Sequence, residues 1–330
     1  MKRYICKPIF YVWLILLLPT HMHAYKFGLG SCLDQDAEQS IWLAIENENI
    51  DGFIFLGDNV YGDQPGGYLS MMEKAYQTQK NMLPEWLWDE KEILAIWDDH
   101  DFGLNDGGRD YRFKKESKKM FLNFWGIPNS DPRRNREGIY FKQTKEIEGM
   151  KIDIIGLDTR YFRSKLKKIK NAYTKNYDPK ATILGQNQWA WLESSLSSSN
   201  ADVIIILSSI QILATTHPYE KWDNFPLERK RLLDLIADKA KKKKAILVSG
   251  DRHKSGIYQN KNFVEITASS LNRQASPGEE TDPLLIGKTF RMKNYGILDI
   301  EPSENKITLS IHDQNGMMVN SKIINIHQER

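Results

Sequence analysis

Four consecutive apolar residues, Phe53-Ile54-Phe55-Leu56, stop abruptly at Gly57-Asp58-Asn59-Val60-Tyr61-Gly62-Asp63. A run with no polar alternation reads as a strand buried on both faces, the kind found in the middle of an α/β sheet. Its side-chain chemistry is then displayed just past the C-terminal end, where open sheets bind ligands. Three further runs break off in the same way. Phe27-Gly28-Leu29-Gly30 ends at Ser31-Cys32, and Ile93-Leu94-Ala95-Ile96-Trp97 ends at Asp98-Asp99-His100-Asp101. Ala245-Ile246-Leu247-Val248-Ser249-Gly250 ends at Asp251-Arg252-His253. Strand ends that carry a thiol, carboxylates and imidazoles predict convergence on one metal-binding cluster.

Between these runs the chain alternates strand and helix. Helix-spaced apolar residues predict helices over residues 36–45, 68–80, 110–125, 186–196 and 226–240, the last opened by Pro226. A hairpin is expected from residues 138–141 and 150–155, turning at 146–149, and a further buried strand over 203–207. After Gly256, alternating segments at 263–267, 295–300, 306–311 and 317–326 predict antiparallel strands. Gly28-x-Gly30 invites a dinucleotide-binding reading, but no third glycine follows at the required spacing. The Lys-rich stretch 163–180 is read as a solvated surface loop in preference to an anion-collecting rim.

The N-terminus has a different character. Lys2, Arg3 and Lys7 precede the apolar stretch Pro8 to Leu18, and polar residues follow up to Ala24. That pattern is a secretory signal peptide over residues 1–24, followed by a single domain over 25–330. Removing its three basic residues from 46 leaves 43 Lys and Arg against 43 Asp and Glu, so a nucleic-acid partner held by bulk charge is not expected. Cys6 departs with the signal, and Cys32 is then alone in an oxidising compartment where disulfides come in pairs. Its place at a strand end favours a metal ligand over an inert thiol.

Oxygen ligands suit hard cations, whereas imidazole, thiolate and phenolate suit a transition metal. Asp58, Tyr61, Cys32, Asp251 and His253 together form a mixed set, one that two dissimilar metals sharing a bridging carboxylate would use in full. Such a pair of cations clamps a phosphoryl group and lowers the pKa of a bound water from 15.7 toward roughly 7, so that hydroxide attacks in line. Arg160 could steady a phosphate oxygen through its fork of donors.

Gly30-Ser31-Cys32, Gly57-Asp58-Asn59-Val60-Tyr61, Trp97-Asp98-Asp99-His100-Asp101, Leu157-Asp158-Thr159-Arg160, Gln188-Trp189-x-Trp191-Leu192 and Gly250-Asp251-Arg252-His253 follow one another along the chain. In that order they resemble the signatures of PhoD-type alkaline phosphatases, within the calcineurin-like metallophosphoesterases. The resemblance implies a four-layer α/β/β/α sandwich of two mixed sheets flanked by helices. It implies a ferric ion beside calcium, other divalent metals being an alternative, and hydrolysis of phosphate monoesters or diesters outside the cytoplasm. By position, Cys32, Asp58, Tyr61 and His253 would hold the iron, with Asp58 bridging to a calcium also held by Asp251 and by Asp99 or Asn105. His100 stands where the superfamily places the histidine that contacts phosphate and protonates the leaving group. Asp101 replaces the usual Glu, Leu104-Asn105 stands where paired asparagines are common, and Lys254 replaces a second histidine.

The expected protein is a monomer, secreted or periplasmic, that acts on small-molecule phosphate esters without stable membrane insertion. It is membrane-anchored if the signal stays uncleaved. Two alternatives remain: a phosphodiesterase or phospholipase D-like enzyme of the same fold, and a secreted metal-binding protein without turnover.

Overall fold

The apolar runs become neighbouring strands, as their lack of alternation requires. The computed structural model describes residues 24–241, 243–275 and 278–326. The signal-peptide reading therefore lies outside the described residues. Chain order begins β1 (Tyr25–Gly30), α1 (Ile41–Asn47), β2 (Gly52–Leu56), α2 (Met72–Met82), α3 (Glu85–Glu90), β3 (Glu92–Ile96), α4 (Asp99–Phe102), α5 (Lys114–Phe124) and α6 (Pro132–Asn135). It continues with β4 (Phe141–Ile147), β5 (Met150–Gly156), β6 (Lys167–Ile169), β7 (Ala172–Thr174), α7 (Gly185–Ser197), β8 (Val203–Ser208) and α8 (Pro226–Lys239). The last strands are β9 (Lys244–Ser249), β10 (Ser255–Gln259), β11 (Val264–Thr267), β12 (Leu285–Phe290), β13 (Asn294–Glu301), β14 (Lys306–Asp313) and β15 (Met318–Asn325).

Two mixed sheets result. One has the order β15-β14-β13-β1-β2-β3, the other β12-β10-β11-β9-β8-β5-β4. Strands β1, β2 and β3 are parallel, as are β5, β8, β9 and β11, and the outer strands add antiparallel. Side-chain alternation shows how the layers stack. In β2, Phe53 and Phe55 meet Trp42 of α1, so they face helices, and Ile54 points the other way. In β8, Val203, Ile205 and Leu207 join the core shared with the first sheet, whereas Ile204 and Ile206 pack with Trp189 and Leu192 of α7 and Leu232 of α8. Helices α1, α2, α3 and α5 cover the outer face of the first sheet, α7 and α8 that of the second. This is the four-layer arrangement the sequence implies. No helix among the described residues is long and apolar enough to cross a membrane.

Several boundaries differ from the sequence reading, each for a local reason. The first helix starts at Ile41 because Asp34 accepts the backbone N–H groups of Asp36 (2.9 Å) and Ala37 (3.3 Å), closing a turn in place of a first helical turn. The β4–β5 turn is tighter than expected: Ile147 pairs with Met150, and Glu148 and Gly149 both have positive φ, the backbone of a two-residue hairpin turn. Gly28 serves packing, because a Cβ there would lie 2.5 Å from the Phe53 ring. The stretch read as a solvated loop contains the hairpin β6–β7, exposed along β6 and half-buried along β7, and β10 and β12 were not anticipated at all.

Candidate metal centre

The C-terminal ends of β1, β2, β3 and β9 meet where the two sheets adjoin. Cys32 N–H donates to Gly57 O (3.3 Å) and Leu33 N–H to Asp58 O (2.9 Å), fastening the end of β1 to that of β2. Ser270 and Leu271, just past β11, donate to Ser31 O at 3.3 and 3.0 Å, joining the second sheet to the first. Glycine is required at position 57, where φ is +104° and a Cβ would sit 2.5 Å from that of Asp98. Cys32, Asp58, Asp251 and His253 all adopt left-handed backbone, with φ of 58°, 52°, 67° and 50°. Such conformations cost about 1–3 kcal/mol each in residues other than glycine and cluster at ligand sites.

Three groups of donor atoms, each within 4.8 Å of one another, are built on these ends: Cys32, Asp58 and His253; Asp58, Asp99 and His100; Asp98, Asp99 and Asp251. Asp58 belongs to two of them. Its Oδ2 lies 3.6 Å from Cys32 Sγ and 3.2 Å from the Tyr61 hydroxyl, while its Oδ1 accepts the His100 N–H at 3.3 Å. Tyr61 Oη in turn lies 3.3 Å from His253 Nε2. Thus Cys32, Asp58, Tyr61, Asp99, His100, Asp251 and His253, all expected from sequence, come together. Asn105 lines the same pocket, its amide donating to Asp106 at 2.9 Å.

Arg160 is placed differently. It is fully buried behind the pocket, where its guanidinium pairs with Asp98 and Glu220. Truncating one partner of such a buried pair costs about 3–5 kcal/mol, so this arginine holds Asp98 in position and has no face toward a phosphate. Asp158 and Gln188 are likewise bracing groups. Asp158 accepts Trp97 Nε1–H at 2.9 Å and the N–H groups of Ile139, Arg160 and Tyr161, and Gln188 clips its backbone to α7. Asp101 accepts from the Asp98 and Asn59 backbones, capping α4.

Electrostatically the pocket floor is overloaded with acid. Burial first, then neighbouring Asp99, Cys32 and Asp98, push Asp58 well above the usual carboxylate range despite His100. Burial raises Asp98 to about 7 against the pull of Arg160, and it raises the Cys32 thiol to about 11. His253 is driven down to about 4 by burial and by Arg273, His100 and Arg252. For His100 burial acts downward, but Asp99, Asp58 and Asp63 prevail and push it up to about 11. Asp98 Oδ2 is buried without a hydrogen-bond partner, beside Asp99 and Asp251. A cation among these oxygens would satisfy it, and the mixed thiol, phenol and imidazole set suits a second, softer ion. The residues fit a two-metal site.

Some of the supporting residues were not anticipated. Asp63 Oδ1 holds His100 Nδ1 at 2.7 Å, and the His100 ring lies 4.3 Å from that of Tyr61. Ser269 accepts the His253 N–H at 2.7 Å and sits 3.2 Å from Cys32 Sγ. Arg273 covers the Tyr61 ring at 4.3 Å. Asp63 follows the Gly57–Tyr61 motif closely enough to have been a signal, whereas Ser269 and Arg273 come from a segment with no local mark.

Among solved structures, one described as PhoD shares 16% identity at TM-score 0.66, covering 92% of this chain and 68% of that one. GAP50, the anchor in the inner membrane complex of Plasmodium, gives 14% and 0.64, covering 93% of this chain and 90% of that one. Purple acid phosphatase PPD1 from yellow lupin seeds gives 13% and 0.60, covering 93% of this chain and 55% of that one. At these identities the likeness is one of fold. No curated protein sequence matches the chain. A sequence profile of the PhoD-like phosphatases matches residues 86–318, most of the chain and the segment that carries the His100, Asp251 and His253 strand ends. The protein belongs to the PhoD-like phosphatase family, whose chemistry is the hydrolysis of phosphoric ester bonds.

Proposed function

We propose that this protein hydrolyses phosphate monoesters, diesters or both at a two-metal centre, with ferric iron at Cys32, Asp58, Tyr61 and His253 and calcium at Asp58, Asp251 and Asp99 or Asn105. The observation that carries this reading is the membership of Asp58 in two donor groups that differ in their other partners, one completed by the Cys32 thiol and the His253 imidazole, the other by the Asp99 carboxylate and the His100 imidazole. When bound, the ions supply charge neutralisation for the phosphoryl oxygens and an acidified water as nucleophile. Asp58 would be among the residues that hold each ion. His100, cationic among its carboxylates and oriented by Asp63, is placed to donate a proton to the departing alkoxide oxygen. Arg160 keeps Asp98 turned toward Asp99 and Asp251.

Export from the cytoplasm belongs to the same proposal and rests on the N-terminal sequence alone. GAP50, an anchor in the inner membrane complex of Plasmodium, has this fold, so fold alone does not separate turnover from metal binding without turnover. The test is a preparation loaded with iron in air plus calcium, assayed on chromogenic mono- and diesters. Turnover of at least one ester is expected, with a visible absorption band from the phenolate and thiolate ligands that Tyr61→Phe shifts or bleaches. A colourless protein with full zinc occupancy would overturn the iron assignment. A metal-replete protein without turnover would overturn the enzyme reading.

A further inference from the structure

The pocket above the metal ligands has a volume of about 540 Å³, far more than one phosphoryl group fills, and within the range of sites that enclose whole small molecules. The wall away from the metals comes from two segments tied together, since Tyr173 N–H of β7 donates to Pro218 O at 2.8 Å. Lys168, Tyr173 and Tyr219 line it, together with Arg252 and Lys254. Its charge is unbalanced. Arg252 and Lys254 share the single carboxylate of Glu280, the lysine at 3.5 Å, and Arg252 Nε is buried without a partner. Lys168 is exposed over the Tyr173 ring at 5.3 Å and has no carboxylate partner among the described residues.

Nearby acids are already engaged. Glu220 is consumed by Arg160 and Arg163, and Asp106 accepts from the Tyr173 hydroxyl and Asn105. Arg252 lies 4.6 Å over the Tyr219 ring, which is 56% exposed and therefore free to offer an aromatic face. Behind it, His217 is buried with both ring nitrogens unpartnered, facing Arg252, Lys221 and Lys254. Arg252 and Lys254, with Lys168, give the pocket cationic groups that the metal chemistry does not use.

We propose that this wall, formed by Lys168, Arg252 and Lys254 with Tyr173 and Tyr219, selects phosphate esters whose alcohol carries a second anionic group, a carboxylate or another phosphate. The proposal rests on the phosphoesterase reading above and narrows its substrate class. With the phosphoryl group at the metals, the remainder of the substrate lies along the wall, its ring or carbon frame against the tyrosines and its second anion at the lysines and arginine.

The test compares kcat/KM for 3-carboxyphenyl phosphate and phenyl phosphate, whose leaving groups differ little in basicity, on the metal-replete full-length protein. The wild type is expected to favour the carboxylated ester by about tenfold, the scale of one charge-assisted hydrogen bond, chiefly through KM. Lys168→Gln and Lys254→Gln should each move that ratio toward one, and added salt should do the same. A phosphorylated alcohol in place of the carboxylated one distinguishes the two kinds of second anion. A wild-type ratio near one, or a ratio unchanged in both variants, overturns the subsite. Turnover of neither ester would be a different failure, that of the phosphoesterase reading itself, and the subsite would fall with it.

Discussion

Asp58 and His100 are adjacent in space, the His100 N–H donating to Asp58 Oδ1 at 3.3 Å, and the proposed chemistry depends on keeping their tasks apart. In the proposed site Asp58 binds cations, whereas His100, its Nδ1 held by Asp63 at 2.7 Å, presents the far side of its ring to substrate. Asp99, Asp58 and Asp63 keep the imidazole charged, and cations bound to the first two would weaken that hold and bring the proton closer to donation. His100→Asn is expected to retain both ions and to lose about 10²–10⁴-fold in kcat, the usual worth of a positioned acid. The loss should be smallest for esters whose leaving group is already a weak base. Metal analysis beside a leaving-group series checks this, and a uniform loss across the series would assign His100 to phosphate positioning.

Among elements, the buried strands were legible and the pieces that border them less so. Runs such as Phe53–Leu56 and Val203–Leu207 have no polar alternation, because both of their faces are covered, and that pattern leaves little alternative to a central strand. The donor residues that the structure brings together were legible with them, since Cys32, Asp58, Asp251 and His253 stand where those runs stop. Arg160 was not, because nothing local tells an arginine that meets substrate from one enclosed by Asp98 and Glu220. The β6–β7 hairpin escaped notice since strands of three residues, exposed in β6 and half-buried in β7, carry no hydrophobic signal. The segment after β8 adds a pH-dependent element. Burial, with Arg252, Lys221 and Lys254, holds His217 well below its ordinary value, and Glu280 offsets part of the charge on Arg252 and Lys254. A folded-state value below the unfolded one gives stability that is present above about pH 6.5 and lost as pH falls. In thermal melts of the metal-loaded protein, His217→Phe should therefore lose less Tm than wild type between about pH 7 and about pH 5.5. Equal losses would remove His217 from the account.

At the scale of the whole molecule, the two sheets are joined through a seam that concentrates buried acid. Cys32, Asp58, Asp98 and Asp99 are each at most 5% exposed, with Asp251 beside them, and Arg160, His100 and Arg252 offset part of their charge. Ions that bind the folded chain and not the unfolded one stabilise it by mass action, about 2.7 kcal/mol at a concentration one hundred times Kd. At about 2.1 cal/mol/K of unfolding entropy per residue, a chain of this size turns that into roughly 4 °C in Tm. A strong chelator should lower Tm by about that amount, and adding the metals back should restore it. An unchanged Tm would mean that the carboxylates of the seam are neutralised in some other way.

The shared carboxylate is the feature on which the two-metal reading stands, so the most direct measurement is metal content and ester hydrolysis determined together on wild type and Asp58→Asn. The wild type should carry about two ions per chain and hydrolyse phosphate esters. The variant, with its far-ultraviolet circular dichroism intact, should lose both properties at once. Hydrolysis by the variant at the wild-type rate, or by a wild-type protein stripped of metal, would contradict the account.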